Sequence, residues 1–347
     1  MPAGLHDAAR AALRAYGLDG APFAEVSTSF NTVLRVDTPH GPRLLRVGPH
    51  RGVHRPGVAE AERDLLGHLA SRGARVPRVL PTADGAASVT VEVPDLPGPR
   101  TCMLLEWVPG QPVRRPCTVA EAAELGRLSA GLHDLAPTAL LLPPGVLDGR
   151  DALAFAVPDL LDTVGDVGPV LRAAHARAQD AVDDLWESRA DSGAAARVLH
   201  GDLTQANVVT ADAREAGGAP TDRDADDAAL PPAPGLVPID FQDLLWGHVE
   251  QDVAISLLRL SRDDGTGERC AAFRTGYEAV RPWPPLDAAL LTDLFAARRL
   301  QLVNINLVMD TTGTRMGVDL HLAALRRYAE GAGPPDEERA AIDAVTA

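Results

Sequence analysis

Residues Val198–Val209 read VLHGDLTQANVV, and further along the chain Val237–Asp243 reads VPIDFQD. Each stretch opens on β-branched and apolar residues, which predict a short strand. The first strand breaks at Gly201 and delivers Asp202 and Asn207, five positions apart, on one loop. The second delivers Asp240 at its end. An acid and an amide on one loop, with a further carboxylate at a neighbouring strand end, is the donor set that magnesium-assisted phosphoryl transfer requires. Oxygen ligands suit Mg²⁺, and few are needed because the ion keeps waters and binds substrate phosphates. Asp202 is then left to receive or orient an acceptor hydroxyl. The competing local reading makes Asp202 a turn acid and Asn207 a loop-capping amide, since both types bond nearby backbone readily. Two motifs in order, each beside a predicted strand, weigh against it.

Composition bounds what such a site can serve. At 347 residues, 46% hydrophobic and 23% charged, the chain has ordinary globular chemistry and enough length for two domains. No apolar run approaches the length of a spanning helix. The opening MPAGLHDAARAALRAYG lacks the basic-then-apolar layout of a secretory signal, so a cytoplasmic protein with no membrane partner is expected. The balance of 33 basic against 48 acidic residues, net -15, disfavours nucleic-acid partners. Every one of the 33 basic residues is arginine, because the sequence contains no lysine. That excludes a Walker-A loop and lysine Schiff-base chemistry, and any phosphate clamp must use arginine. Cys102, Cys117 and Cys270 are odd in number and far apart, which predicts buried free thiols.

Residues 6–17 carry helical spacing and form a short leading helix. Alternation predicts strands over Phe23–Ser27, Thr32–Asp37 and Pro42–Val47 in a meander, then a helix over Gly57–Ser71. Strands over Val76–Leu80, Ser88–Val93 and Thr101–Val108 complete a strand-rich part with one helix. From Thr118 the pattern turns helical, and Glu121 three positions on makes a capping box. A mostly helical stretch is expected to about Ser188, interrupted by Pro143-Pro144, Pro158 and Pro169. The acidic, Pro/Gly-rich run Ala211–Gly235 reads as a disordered loop. Helices are expected from Asp252 to about Gly331, with fraying beyond.

The pair HGDLTQAN and IDFQD resembles the HGDxxxxN and IDFxD motifs of aminoglycoside phosphotransferases, homoserine and choline kinases and the related bacterial stress-response kinases. These motifs correspond in role to the catalytic loop and metal-binding segment of protein kinases. The resemblance implies an α+β, protein-kinase-like two-lobed fold: a small antiparallel-sheet N-lobe with one helix (1–108) and a larger, mainly helical C-lobe (109–347). It assigns Asp202 as the catalytic base, Asn207 and Asp240 as ligands of Mg²⁺, and ATP as the phosphoryl donor. LLRV at Leu44–Val47 is similar to the strand that normally ends in the phosphate-binding lysine, here Arg46, and Glu62 on the following helix would pair with it. MLLEWVPGQP is similar to the hinge between lobes, where the backbone of Glu106 and Val108 would bond adenine. Ser29, Phe30 and Asn31 sit where the nucleotide-covering loop belongs. His200 would be structural, and Asp252 would anchor the catalytic loop.

The implied reaction is transfer of the ATP γ-phosphoryl group to a hydroxyl of a small acceptor such as an aminoglycoside or amino alcohol. A protein Ser/Thr kinase or a non-catalytic nucleotide-binding module are the alternatives. Gln251 follows Asp240 by only eleven positions, with no anchor for a peptide-docking segment, which disfavours a protein substrate. Acceptor choice is expected in residues 138–195 and the C-terminal helices. Asp243 reads as a cap for the next helix, with support of the metal site as the alternative. His50 and His54 read as solvent-exposed, and Trp107 as packed beside the hinge.

Overall fold

The computed structural model describes residues 3–155, 164–210, 235–262, 264–309 and 314–347. The expected disordered run at 211–235 lies, apart from Gly235, outside the described residues, as does Pro158.

The first part is a six-stranded antiparallel sheet in the order β1-β2-β3-β6-β4, with β5 also pairing β6. The strands are β1 (Phe23–Thr28), β2 (Thr32–Thr38), β3 (Gly41–Val47), β4 (Val79–Leu80), β5 (Val89–Val91) and β6 (Arg100–Glu106). Side chains alternate across a strand, so each strand feeds two faces. Leu45 and Val47 of β3, with Cys102 and Leu104 of β6, pack against Ala8, Ala9, Ala12 and Leu13 of the leading helix α1 (Ala3–Ala15). Met103 and Leu105 instead join a second cluster with Leu65, Leu66 and Leu69 of α2 (Val58–Ser71). The leading helix is therefore part of this lobe, which carries two helices where one was expected. Burial of Leu13 alone stabilises the sheet–helix contact by about 1.5–3 kcal/mol.

The second part is mainly helical. Helix α3 (Val119–Leu135) opens on the expected capping box between Thr118 and Glu121. It crosses α6 (Glu268–Glu278) at Gly126 and Gly276, where a Cβ would overlap the carbonyls of Phe273 and Ala123. The helical stretch expected onward to Ser188 is corrected: residues 136–155 are irregular apart from β8 (Leu147–Asp148). Pro137, Pro143 and Pro144 carry no N–H for a helix ladder. Helix α4 (Gly168–Asp191) then begins with Pro169 in its first turn, where the missing N–H costs nothing, so that proline starts a helix and does not interrupt one.

Two three-stranded sheets carry the motif loops. One orders β11 (Leu236–Pro238), β10 (Val208–Thr210) and β7 (Gln111–Pro112); the other orders β8, β12 (Leu245–Gly247) and β9 (Arg197–Leu199). Helices α5 (Val249–Ser261), α7 (Ala288–Met309), α8 (Thr314–Ala329) and α9 (Asp336–Thr346) complete the chain. The expected terminal fraying is corrected by α9, whose Ala341, Ile342 and Val345 are buried and whose Glu338 pairs with Arg299. All three cysteines are free and buried, as expected. No helix among the described residues is long and apolar enough to cross a membrane.

Candidate active site

Strand β9 ends at Leu199, and the chain turns through His200 and Gly201 into Asp202. Gly201 has φ 76° and lies against the Asp243 carbonyl, so any Cβ there would both strain the backbone and collide. Its N–H donates to Asp252 Oδ1 at 2.9 Å, and the other Asp252 oxygen lies 2.9 Å from His133 Nε2. His133 Nδ1 in turn meets the Tyr277 hydroxyl at 2.9 Å. Burial, the largest single influence, would raise the Asp252 carboxyl, but the contacts with His133, His200 and the Gly201 N–H together hold it below the usual range. Ser256 Oγ donates to the Leu203 carbonyl at 2.5 Å. Helix α5 thus grips the loop at two backbone points.

His200 stitches the two motif loops together. Its Nε2 lies 3.1 Å from the Ile239 carbonyl, and its Nδ1 accepts from the Asp202 N–H at 3.3 Å. That pairing fits a neutral ring protonated at Nε2. The ring also packs on Phe241, centroids 4.3 Å apart. Ile239 N–H donates to the Asn207 carbonyl at 2.9 Å, a second tie between the same loops.

Asp202, Asn207, Asp240 and Asp243 line one cavity of about 380 Å³. Asn207 Nδ2 donates to the Asp202 carbonyl at 2.8 Å and to Asp202 Oδ2 at 2.7 Å, which leaves Asn207 Oδ1 as a free-standing acceptor type for a cation. Asp240 adopts a left-handed backbone (φ 62°, ψ 62°), sparse for a residue with a side chain. Burial, reinforced by Asp243, raises the Asp240 carboxyl despite the opposing Arg46. Burial likewise pushes Asp202 up to about 6, with Asp243 and Asp240 adding to it and Arg298 opposing. Converging carboxylates that resist ionisation together suit a bound cation, and two protein oxygens plus phosphate and water suit magnesium. No group of three or more His, Cys, Asp or Glu able to hold a metal occurs among the described residues, which sets this donor set apart from an all-protein cage.

Arg46 stands on the face of β3 opposite to Leu45. Its guanidinium makes a two-pronged pair with Glu62 and reaches Asp240 Oδ1 at 3.1 Å. Burial would lower the Arg46 pKa, but Glu62 and Asp240 together raise it. A lysine ammonium could not span both partners with a planar fork; arginine does. Asn31 Nδ2 donates to Gln242 Oε1 at 3.0 Å, so the Ser29–Asn31 loop docks on the segment after Asp240, and Ser29 and Phe30 line the cavity. At the expected hinge, Glu106 N–H already donates to the Arg78 carbonyl at 2.8 Å, leaving its carbonyl as the group available to a base. Val108 packs with Val209, Val237 and Ile239 in a small apolar cluster. Trp107 lies under the Arg35 guanidinium, 5.4 Å from the ring centre.

Three features went unread or were misread in the sequence. Asp243 does not cap the next α-helix: α5 starts at Val249 with His248 as its N-cap, and Asp243 faces the cavity. His54 is not exposed, because its Nε2 lies 2.7 Å from Asp243 Oδ1 and holds that carboxyl below its usual range against the effect of burial. Arg298, on α7, reaches Asp202 Oδ1 at 2.5 Å and is only 6% exposed. The available signal was a run of polar residues, Arg298, Arg299, Gln301 and Asn304, inside an otherwise apolar helix.

A strand-rich lobe carrying a buried Arg–Glu pair, facing a helical lobe that presents an acid, an amide and a second acid, defines a kinase-like phosphotransferase fold. The family model described as the phosphotransferase enzyme family matches residues 22–218, more than half of the chain. An uncharacterised protein of Deinococcus radiodurans is 30% identical over 300 residues, covering 84% of this chain and 78% of the relative. The chain belongs to the phosphotransferase enzyme family, whose acceptor is an alcohol group. Among solved structures, a microcompartment-associated aminopropanol kinase matches at TM-score 0.69 and 24% identity, over 95% of this chain and 99% of its own. An amicoumacin kinase, solved with AMP-PNP and Ca²⁺, matches at TM-score 0.63 and 17% identity, over 90% and 89%.

Proposed function

We propose that this protein transfers the γ-phosphoryl group of ATP to the hydroxyl of a small acceptor, with residues 1–108 binding nucleotide and 109–347 supplying catalysis and the acceptor site. The observation that carries this reading is the convergence of Asp202, Asn207 and Asp240 on one cavity, with Asp240 tied to the Arg46–Glu62 pair. Asn207 Oδ1 and Asp240 would hold Mg²⁺, which when bound neutralises charge on the transferring phosphates. Arg46, oriented by Glu62, clamps phosphate oxygens. Val108, Val209, Val237 and Ile239 give adenine an apolar seat, with the Glu106 carbonyl and Val108 N–H as hinge contacts. The loop Ser29–Asn31 covers the phosphates while anchored through Gln242. Asp202 accepts or orients the acceptor hydroxyl proton, and Asn207 and Arg298 fix its carboxylate. His200 and Asp252 hold the loop in register and touch no substrate. A relative in fold solved with a nucleotide analogue and a divalent cation supports this assignment of co-substrate and metal type.

The test is calorimetry of ATP binding with magnesium or with excess chelator, followed by ADP release against a panel of small hydroxyl compounds. Tighter binding with magnesium and acceptor-dependent ADP release are expected. Equal affinity with chelator would sink the metal site, and Mg-ATP binding without transfer to any acceptor would favour a non-catalytic module.

A further inference from the structure

The strand-rich lobe supplies part of the wall of the cavity that holds Asp202. Phe30, from the Ser29–Asn31 loop, and Val53, from the loop 48–57 between β3 and α2, line it beside Leu302 and Ile305 of α7. Phe30, Val53 and Leu302 also lie against the apolar cluster that contains Ile305 and Phe155. One part of the lining is therefore apolar and is built jointly by both lobes. Apolar contact is non-directional and by itself fixes no position for Val53.

Directional contacts on either side of Val53 fix it. Arg51 Nη1 donates to the Val308 carbonyl of α7 at 3.3 Å. His54 Nε2 lies 2.7 Å from Asp243 Oδ1, and since a carboxylate only accepts, the imidazole N–H donates. The His54 ring also stands edge-on to Phe155, centroids 5.7 Å apart. His54 is 13% exposed and Asp243 16%, so little water reaches this bond. The charged part of the lining is balanced and engaged. It carries three carboxylates, Asp202, Asp240 and Asp243, and three arginines, Arg259, Arg262 and Arg298, so neither sign prevails. Asp202 pairs with Arg298, Asp240 pairs with Arg46, and Arg262 donates to His321 Nδ1 at 3.2 Å. Arg259 is engaged as well. A charged acceptor must compete with one of these contacts, whereas a neutral one leaves them intact and gains by covering the apolar part.

Resting on the phosphotransferase reading above, we propose that the acceptor is a neutral alcohol with an aliphatic body, selected in part by the loop 48–57. Val53 is a specificity residue whose side chain packs on that body. His54 is a positioning residue that holds Val53 there through Asp243 and takes no part in the transfer step. The reacting hydroxyl lies at Asp202, and the carbon chain runs along Phe30, Val53, Leu302 and Ile305. The strand-rich lobe thus shapes the acceptor site as well as the nucleotide site.

The experiment uses the full chain with Mg-ATP and measures kcat/KM for the vicinal diols of propane, butane and pentane, which differ only in methylene count. Aminopropanol and hydroxypropanoate serve as charged counterparts of propanediol. Each added methylene should raise kcat/KM by about three- to fourfold, the worth of one buried methylene, and neither charged compound should exceed propanediol. Val53→Thr keeps the shape of the side chain and adds a hydroxyl, so it should cut the preference for pentanediol over propanediol by about threefold or more. His54→Ala should cut it by a similar factor while the KM for Mg-ATP stays within about twofold. His54→Gln, whose amide N–H can reach the carboxylate, should restore most of the preference. A flat diol series, or a charged compound as the best substrate, overturns the acceptor class and leaves the phosphotransferase reading standing. A preference unchanged in Val53→Thr or His54→Ala overturns the role of the loop. So does a rise in KM for Mg-ATP in His54→Ala as large as the loss of preference, which shows that the loop serves the nucleotide. If nothing in the panel is phosphorylated, calorimetry of the diols on the Mg-ADP complex decides. Binding that tightens with chain length and weakens in Val53→Thr upholds the proposal, and no binding by the wild type overturns it. Failure of the phosphotransferase reading shows separately, as absence of Mg-ATP binding.

Discussion

Removing the Arg46 guanidinium tests how the two lobes are joined at the nucleotide site. Arg46 is 12% exposed, Glu62 0% and Asp240 36%. In Arg46→Ala, Asp240 can turn to water, but Glu62 is left as a buried carboxylate with its cation gone. Breaking a buried pair by deleting one partner costs about 3–5 kcal/mol, most of it the uncompensated charge. With a urea slope near about 3 kcal/mol/M for a chain of this size, the midpoint should fall by roughly 1–2 M. The double variant Arg46→Ala/Glu62→Gln should recover more than half of that loss, because a neutral amide is far cheaper to bury. Urea unfolding followed by circular dichroism reads both. A midpoint shift under about 0.3 M in the single variant, below what any buried charge costs, or no recovery in the double variant, would refute the reasoning.

Two further outcomes follow from the same contacts. Because the folded-state carboxyl of Asp252 is depressed, its stabilisation is fully present above the unfolded value of about 4 and is lost as pH falls through the folded value. The stability gap between wild type and Asp252→Asn should therefore be constant from neutral pH to about pH 5 and shrink below about pH 4 in thermal melts; a gap that widens in acid contradicts the assignment. Thr210 and Leu236 are register partners in the β10–β11 pair, so replacing 211–235 by a two-residue Asn-Gly turn should keep the melting temperature within about 2 °C. A larger fall shows that the replaced residues contribute to packing.

The motif loops were legible because their chemistry demands residue types at fixed spacing: Asp202, Asn207 and Asp240 are separated in sequence, yet each follows a strand whose apolar pattern is plain. The meander β1–β2–β3 and the Thr118 capping box were equally readable, since both are set by local alternation and by a local hydrogen bond. What escaped were contacts between distant elements. His54 and Asp243 lie far apart in sequence, and nothing in the local string HRGVH shows that a carboxylate waits for it. Arg298 has no motif around it, and its role comes only from the packing of α7, which brings it to Asp202. The irregular stretch after α3 was misread because leucine-rich, proline-broken sequence has no period by which to tell a buried loop from a helix.

The most direct test of the central claim is single-turnover phosphoryl transfer by Asp202→Asn beside its affinity for Mg-ATP. The substitution keeps size and hydrogen-bonding reach but removes the carboxylate proposed to take the hydroxyl proton. Mg-ATP affinity should stay within about threefold, since Arg46, Asp240 and the hinge are untouched and Asn207 keeps its bond to the backbone carbonyl of residue 202, while transfer should fall by about 10²–10⁴-fold. Full transfer by a folded Asp202→Asn would contradict the account, and so would a loss of nucleotide affinity as large as the loss of rate.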